Sequence, residues 1–456
     1  MTTAAGVPQP RSRGFSRETS VRRATAGPGT FLTDPLAALE GWAGDGIAIR
    51  RFEPGRYLVS GDELIRTALA GTTTPFEVKA ATFGAVAGWV PGSERSRPVN
   101  AALARELDRA WQAVPAERIT AELRRSAEAG EAWPGALSTC YLRLFGEQLF
   151  PGLPPRARRT LQDALAASDG LDRTSTTLRR LRGRLAHSRA DAALHRWATG
   201  RAEPLPDALR TALGSADDVA LALHGLVGAV CRAAAMVFAW TVLLDRGWRP
   251  GMPAGTTLRP AGTTPPPASA PLPPASTTPQ PAGTVPPPAV TTLPSASTTP
   301  KPASTTPPPA GAPPRAAPVT EPAAHRVREA LRLWPVAWLL SRKVTAATEL
   351  GGVPLVPGDR LYLCTYLLHR DPDVWAEPAE YRPGRWAAPP EGHKARYLPY
   401  GFGSAACVGS RFVNQATAKV LECADTLDGF DLRIIEPEPV FGSLLSPPVV
   451  QPIRPA

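Results

Sequence analysis

From Gly251 to Pro318 the chain is dominated by Pro, Ala, Thr and Ser, and Ala-Ser-Thr-Thr-Pro recurs at Ala275, Ala296 and Ala303. Large apolar side chains are almost absent, so the segment cannot bury enough surface to offset the entropy lost on ordering it. The composition predicts a disordered, polyproline-like insertion over 251–319. Closure entropy grows slowly with loop length, which makes such an insertion tolerable inside a folded unit. Any hydrophobic core must therefore come from residues 30–250 and 320–456. Residues 1–29 are rich in Arg, Ser and Thr, lack an apolar stretch of signal-peptide length, and read as a disordered tail.

The 456 residues allow two or three average domains or one large, mainly helical domain. The net charge of +11 raises nucleic acid as a partner. However, the arginines are scattered through helical segments without interleaved aromatics, the pattern of a solvated basic surface. The five cysteines are an odd number without CxxC spacing. That argues against a disulfide framework or a zinc site and for a reducing, cytoplasmic compartment. The most apolar stretch, Val219 to Leu244, is interrupted by His224 and Arg232, which suits a buried central helix better than a membrane span.

Local patterns place the elements. A short helix over Leu36–Trp42 leads to a hairpin, Ile47–Phe52 and Tyr57–Ser60, around the turn Glu53-Pro54-Gly55-Arg56; a helix opens after Gly61. The chain from about Asn100 to Leu244 reads as mostly helical, with breaks at 151–155 and 201–206. The stretch from Gly351 to Gly358 reads as a hairpin, and a further helix runs from near Val408-Gly409 to about Leu427.

Chemistry concentrates at Leu398-Pro399-Tyr400-Gly401-Phe402-Gly403-Ser404-Ala405-Ala406-Cys407-Val408-Gly409. Glycines allow tight turns and close approach of backbone to a flat ligand. Backbone amides around such a turn can donate to a thiolate and tune its electron donation. A lone buried cysteine is more often a small apolar filler. Here it has company: Glu329-Ala330-Leu331-Arg332 with Pro335 beyond, His369-Arg370-Asp371-Pro372, and Tyr381-Arg382-Pro383-Gly384-Arg385-Trp386. Glu329 and Arg332 stand at i, i+3 on one helix face.

In this order and spacing the run resembles the cytochrome P-450 family of haem-thiolate enzymes, densely from about Ala324 to Leu432 and faintly before it. The resemblance implies a single, mainly α domain with small β-sheets. It implies heme b with Cys407 as axial thiolate and metal ligand, and Tyr400, Gly401 and Gly409 in the cofactor loop. Glu329, Arg332 and Arg385 match the family's buried charge network. Arg342 falls where the family places a propionate-binding arginine; Arg97 is a second candidate, with Arg95 competing. Ala405 departs from the family's Arg or His. The family's helices between helix I and helix K are expected to be missing, since the insertion takes their place.

The larger departure is in helix I. The register that matches Phe238-Ala239-Trp240 puts Arg232 on the family's acid and alanines on its threonines. A proton relay needs a titratable or hydroxyl group, and alanine is neither. The first reading is a monooxygenase of a small apolar metabolite, a terpenoid or polyketide, fed by a ferredoxin and ferredoxin reductase. The second is a peroxide-using or rearrangement-type enzyme with Arg232 as a catalytic carboxylate anchor. The third is a non-catalytic homologue serving as partner of a biosynthetic enzyme; the intact Cys407 set opposes it.

Overall fold

The computed structural model describes residues 30–70, 75–78, 96–169, 177–199, 204–260, 321–403, 406–426 and 430–454. The tail 1–29 and residues 261–320 of the insertion lie outside them.

The apolar run forms helix α10, Ala216–Asp245, 30 residues long. Its start is dictated by Ser215, whose side chain accepts the N–H of Asp218 at 3.0 Å. Asp217 and Asp218 in the first turn complement the helix dipole. By length and composition α10 could cross a membrane, yet 78% of its most apolar window is buried inside the protein. It is the central helix that the pattern predicted.

Among the described residues nine helices precede it: α1 (Thr30–Thr33), α2 (Pro35–Trp42), α3 (Asp62–Ala70), α4 (Ser96–Gln112), α5 (Ala116–Glu128), α6 (Gly135–Leu149), α7 (Pro155–Asp169), α8 (Thr177–Ala198) and α9 (Pro204–Leu213). Three follow: α11 (Ala323–Leu333), α12 (Thr365–Leu368) and α13 (Ser410–Asp425). Helices α6, α8, α11 and α13 all pack on α10.

Strands β1 (Ile49–Glu53), β2 (Arg56–Val59), β3 (Phe76–Val78), β5 (Leu339–Val344) and β8 (Arg360–Cys364) form one sheet in the order β1-β2-β8-β5-β3. Among the described strands only β2 and β8 pair in parallel, Tyr57 opposite Leu361; the hairpin β1–β2 is the one read from its Pro54-Gly55 turn. Strands β6 (Thr348–Leu350) and β7 (Val353–Leu355) are the second expected hairpin.

The low-complexity boundary needs correction. Strand β4 (Thr257–Leu258) lies inside the stretch read as disordered and pairs with β9 (Asp431–Glu436), which in turn pairs with β12 (Val449–Ile453). Leu258 is buried, and the Arg246 guanidinium donates to the carbonyls of Leu258 and Phe430 at 3.3 and 2.9 Å. One apolar anchor and one capping arginine order this piece despite its composition. Strands β10 (Val440–Phe441) and β11 (Leu445–Ser446) complete the sheets. Among the described residues no helix lies between α10 and α11.

Two clusters tie the halves of the chain together. Trp240 of α10 stacks on Trp334 after α11, centroids 4.5 Å apart and planes 9° apart, with Trp248 edge-on to both. Such ring pairs add about 0.5–1.5 kcal/mol each beyond the area they bury. Buried Arg326 of α11 bonds Asp245 at the end of α10 (3.0 Å) and Asp425 at the end of α13 (2.6 Å), and Tyr381 Oη donates to Asp245 Oδ1 at 2.7 Å.

Candidate functional site

The loop before α13 turns on Gly401 (φ 78°) and Gly403 (φ 65°), both in the left-handed region that favours glycine. The turn closes when Cys407 N–H donates to the Tyr400 carbonyl at 2.9 Å. Cys407 then stands at the N-terminus of α13, with the N–H groups of Gly409 and Ser410 directed at its sulfur. Burial pushes its thiol up, and those two amides pull the other way. Yet the cysteine is solvent-accessible. The sulfur is thus crowded by protein on one side and reachable by solvent on the other.

Tyr400 Oη donates to Asn414 Oδ1 at 2.9 Å, which fixes its ring against α13; burial, then Tyr397 and Cys407, keeps the phenol protonated. Gly409 is where α10 meets the loop. A Cβ there would come within 2.8 Å of Val230 Cγ1, and 3.8 Å from Cys407 Sγ.

Behind the loop the structure brings Glu329, Arg332 and Arg385 together. Glu329 and Arg332 are fully buried. Arg332 Nε and Nη2 donate to Glu329 Oε2 and Oε1 at 2.9 and 2.8 Å. Arg385 Nε and the Arg382 N–H both donate to Oε1 at 3.0 Å, and Trp386 Nε1 donates to Oε2 at 3.0 Å. Arg332 spends its remaining donors on the carbonyls of His369, Pro378 and Glu380. A buried ion pair with its hydrogen bonds satisfied in this way holds its surroundings in one arrangement.

Arg342 is buried on β5, donating to the carbonyls of Ala68 (3.1 Å) and Ser341 (3.0 Å). No carboxylate pairs with it among the described residues. Burial alone pushes its guanidinium down to about 10. A cation held in this way calls for an anion beyond the described side chains. Arg97 is exposed on the first turn of α4. Arg95 and Ala405 lie outside the described residues.

Arg232 is on the other side of α10 from the loop. Two residues at about 100° each carry it about 200° around the helix from Val230. It faces α8, where its charge acts on His187. Thr241 is the one hydroxyl side chain in α10, and it donates to the Val237 carbonyl at 2.7 Å. Nothing in the local sequence marks His187, Asp191 or the reach of His224: His187 Nδ1 and His224 Nε2 are 3.1 Å apart, and His224 Nδ1 is 2.6 Å from Asp191 Oδ1. The signal available was a histidine inside an apolar helix; its partners are 37 and 33 residues away. A cleft of about 380 Å³ between α5, α6 and α7, lined by Arg118, Glu122, Arg143 and Glu147 among others, includes none of these residues.

The family model for Cytochrome P450 matches residues 324–448. Cyclooctatin synthase of Streptomyces melanosporofaciens is 44% identical over 108 residues, 22% of this chain and 23% of that protein. Lithocholate 6-beta-hydroxylase of Mesocricetus auratus is 36% identical over 112 residues, 24% of this chain and 22% of that protein. The matched stretch thus spans under a quarter of the length of these curated relatives. The fold likeness reaches much further. P450BioI, crystallised with an acyl carrier protein bearing hexadec-9Z-enoic acid, aligns with a TM-score of 0.59 at 12% identity, over 93% of this chain and 100% of its own. A six-coordinated cytochrome P450 of Thermus thermophilus aligns at 0.55 with 20% identity, over 92% of this chain and 98% of its own. The sequence match is confined to the charge network and cysteine loop, where residues 324–448 are similar to the Cytochrome P450 family, and it is set in a fold shared over nearly the whole chain with solved cytochrome P450 structures.

Proposed function

We propose that the chain is a haem-thiolate monooxygenase that oxidises a small apolar metabolite, of terpenoid or polyketide type, with electrons from a ferredoxin and its reductase in the cytoplasm. The observation that carries this reading is the pairing of two complementary defects: an accessible cysteine sulfur lined by amide donors, and a buried Arg342 that no described carboxylate pairs with. Heme b answers both, through its iron and through a propionate. The residues present fit the group.

Each residue then has a task. Cys407 ligates iron, and the N–H groups of Gly409 and Ser410 draw charge from its thiolate. Tyr400, Gly401 and Gly409 shape the loop so that the backbone passes close to the ring. Glu329, Arg332 and Arg385 hold that loop from behind. Arg342 binds a propionate, and Arg97, on the solvent side of α4, is a candidate for the second. When bound, the haem supplies a metal that activates dioxygen or peroxide, with the thiolate favouring O–O cleavage. The net charge of +11 suits an acidic electron-transfer protein.

A second reading is supported by α10. Near Val230 it carries neither a carboxylate nor a hydroxyl, and Arg232, two residues on, is turned away from the cysteine loop toward α8. A substrate carboxylate held by Arg232 would bring its own acid–base group, which suits peroxide-driven oxidation. The third reading, a non-catalytic partner protein, gains from the absence of a described helix between α10 and α11; the fully bonded Glu329 cluster speaks against decay of the site.

The test is the spectrum of the purified, reduced protein under carbon monoxide. A red-shifted Soret band that disappears in Cys407→Ser is expected; a colourless preparation would leave the partner role. Turnover with hydrogen peroxide compared with turnover on ferredoxin and reductase separates the first two readings.

A further inference from the structure

One face of α3 runs along the cysteine loop. Asp62, Arg66 and Leu69 stand at i, i+4 and i+7 and so share that face. Asp62 Oδ2 accepts from Arg396 Nη1, while Arg396 Nε donates to Asp371 at 2.8 Å. The start of α3 is thereby tied to the chain two residues before the loop begins at Leu398. At the other end, the Leu69 carbonyl lies 3.9 Å from where a Cβ on Gly403 would be. The Ala68 carbonyl beside it is the one that accepts from Arg342. Arg66 stands between these two ends. Its Nη2 donates to the Lys394 carbonyl at 2.9 Å, and its guanidinium carbon is 4.6 Å from the centre of the Phe402 ring. Nε is buried and has no hydrogen-bond partner. The acid one turn back, Asp62, is already engaged by Arg396. What holds the guanidinium in place is therefore the face of the ring.

We propose that Arg66 is a positioning residue for the sulfur of Cys407, acting through the ring of Phe402. Phe402 is half-buried and lies between Gly401 and Gly403, the two left-handed residues of the turn. Glycines make that turn possible but cannot fix it, because their backbone freedom is the widest of any residue. Phe402 carries the one side chain between them, and so the one handle by which the turn can be gripped. The cation pins the ring and the ring pins the turn. The turn in turn closes on Cys407, whose N–H donates to the Tyr400 carbonyl. No bond forms or breaks, and no group titrates. The consequence for ligation rests on the reading of Cys407 as an iron ligand; the grip on the turn rests on α3 alone.

The test reads a set of full-length variants in two ways. In the haem-free protein, hydrogen exchange is followed at the Gly401 and Cys407 amides, which donate within the turn to the carbonyls of Leu398 and Tyr400. Arg66→Met should speed both by about 2- to 30-fold, the span of a cation–π contact, while the amides of α10 keep their rates. Arg66→Lys keeps a cation over the ring and should stay within about twofold of the parent. Phe402→Leu should reproduce the acceleration, and adding Arg66→Met to it should bring less than about a further twofold. In the haem-loaded protein, Arg66→Met should move part of the carbon monoxide band back to shorter wavelength, and Arg66→Lys should restore it. An arginine that only stabilised the fold would lower the urea midpoint without moving that band. Unchanged exchange in Arg66→Met, no rescue by Arg66→Lys, or an equal effect of Arg66→Met with and without the Phe402 ring overturns the proposal. Faster exchange with an unmoved band overturns the positioning of the sulfur. A parent protein without the band overturns the haem reading instead, and the exchange rates still decide whether Arg66 holds the turn.

Discussion

The imidazole of His369 and the main chain of Leu398 are joined by a 2.8 Å hydrogen bond, with the Leu398 N–H donating to Nε2. The carbonyl of the same histidine accepts from Arg332 Nη1 at 3.1 Å. One residue thus links the buried Glu329–Arg332 pair to the first residue of the cysteine loop. Position of the cysteine loop is set from inside the protein, through neutral and charged hydrogen bonds in series.

That link makes stability depend on pH in a defined direction. Burial, then the charge of Arg332, pushes His369 down to about 3 from its ordinary 6.5. Between those values the unfolded chain binds a proton that the folded one refuses. The contribution is therefore complete above about 6.5 and is lost as pH falls toward 3, with a slope approaching 1.4 kcal/mol per pH unit, roughly, at its steepest. His369→Gln keeps an acceptor without a titration. Urea midpoints from pH 7 to 4 should fall less steeply in that variant; equal slopes would show that His369 is not the group responsible.

Glu329 accepts from two guanidiniums, one indole and one main-chain amide. Glu329→Ala strands all of them in a dry interior, at a cost of about 3–5 kcal/mol. In the pair Glu329→Leu with Arg332→Met the loss should be smaller than the sum of the two single losses, since each single change leaves an uncompensated charge. Chemical denaturation of the four proteins completes the cycle, and strict additivity would count against a shared network.

The contact between Gly409 and Val230 offers a size test. With Val230 Cγ1 only 2.8 Å from an added Cβ, Gly409→Ala forces either the loop or α10 to shift, costing about 1–3 kcal/mol. Val230→Ala opens that space. The double variant should recover most of the stability and the carbon monoxide band lost in Gly409→Ala, and failure to recover would place the strain elsewhere.

What the sequence disclosed divides along the range of the interactions. The charge network was legible because its members sit in short motifs whose helix and turn signals are local: i, i+3 spacing for Glu329 and Arg332, and the Pro383-Gly384 turn before Arg385. The turn that carries Cys407 was legible for the same reason, its glycines being a local signal. Arg232 was found as an oddity in an apolar helix, but its direction was not readable, because a shift of one residue rotates a helix by about 100° and the register rested on a short apolar match. The His187–His224–Asp191 array joins two helices far apart in the chain, and no local pattern encodes it. Strand β4 escaped because composition speaks for a whole segment, whereas a single buried leucine and a partner strand decide for ten residues.

Arg342 yields the prediction that separates cofactor binding from folding. Its guanidinium bonds two main-chain carbonyls and pairs with no described carboxylate, and burial alone lowers it to about 10. In the protein without haem, Arg342→Met loses those two bonds but also frees the interior of a cation that lacks a counter-charge, and the opposing effects should leave stability within about 1 kcal/mol. With haem bound, the same change removes a charged hydrogen bond to a propionate, about 1.5–3 kcal/mol, or roughly 10- to 100-fold in retention. Transfer of haem to excess apomyoglobin measures this directly. Faster loss from Arg342→Met with an unchanged denaturation midpoint in the haem-free protein is the expected pair of results. Equal transfer rates would mean that the anion Arg342 waits for is not a propionate.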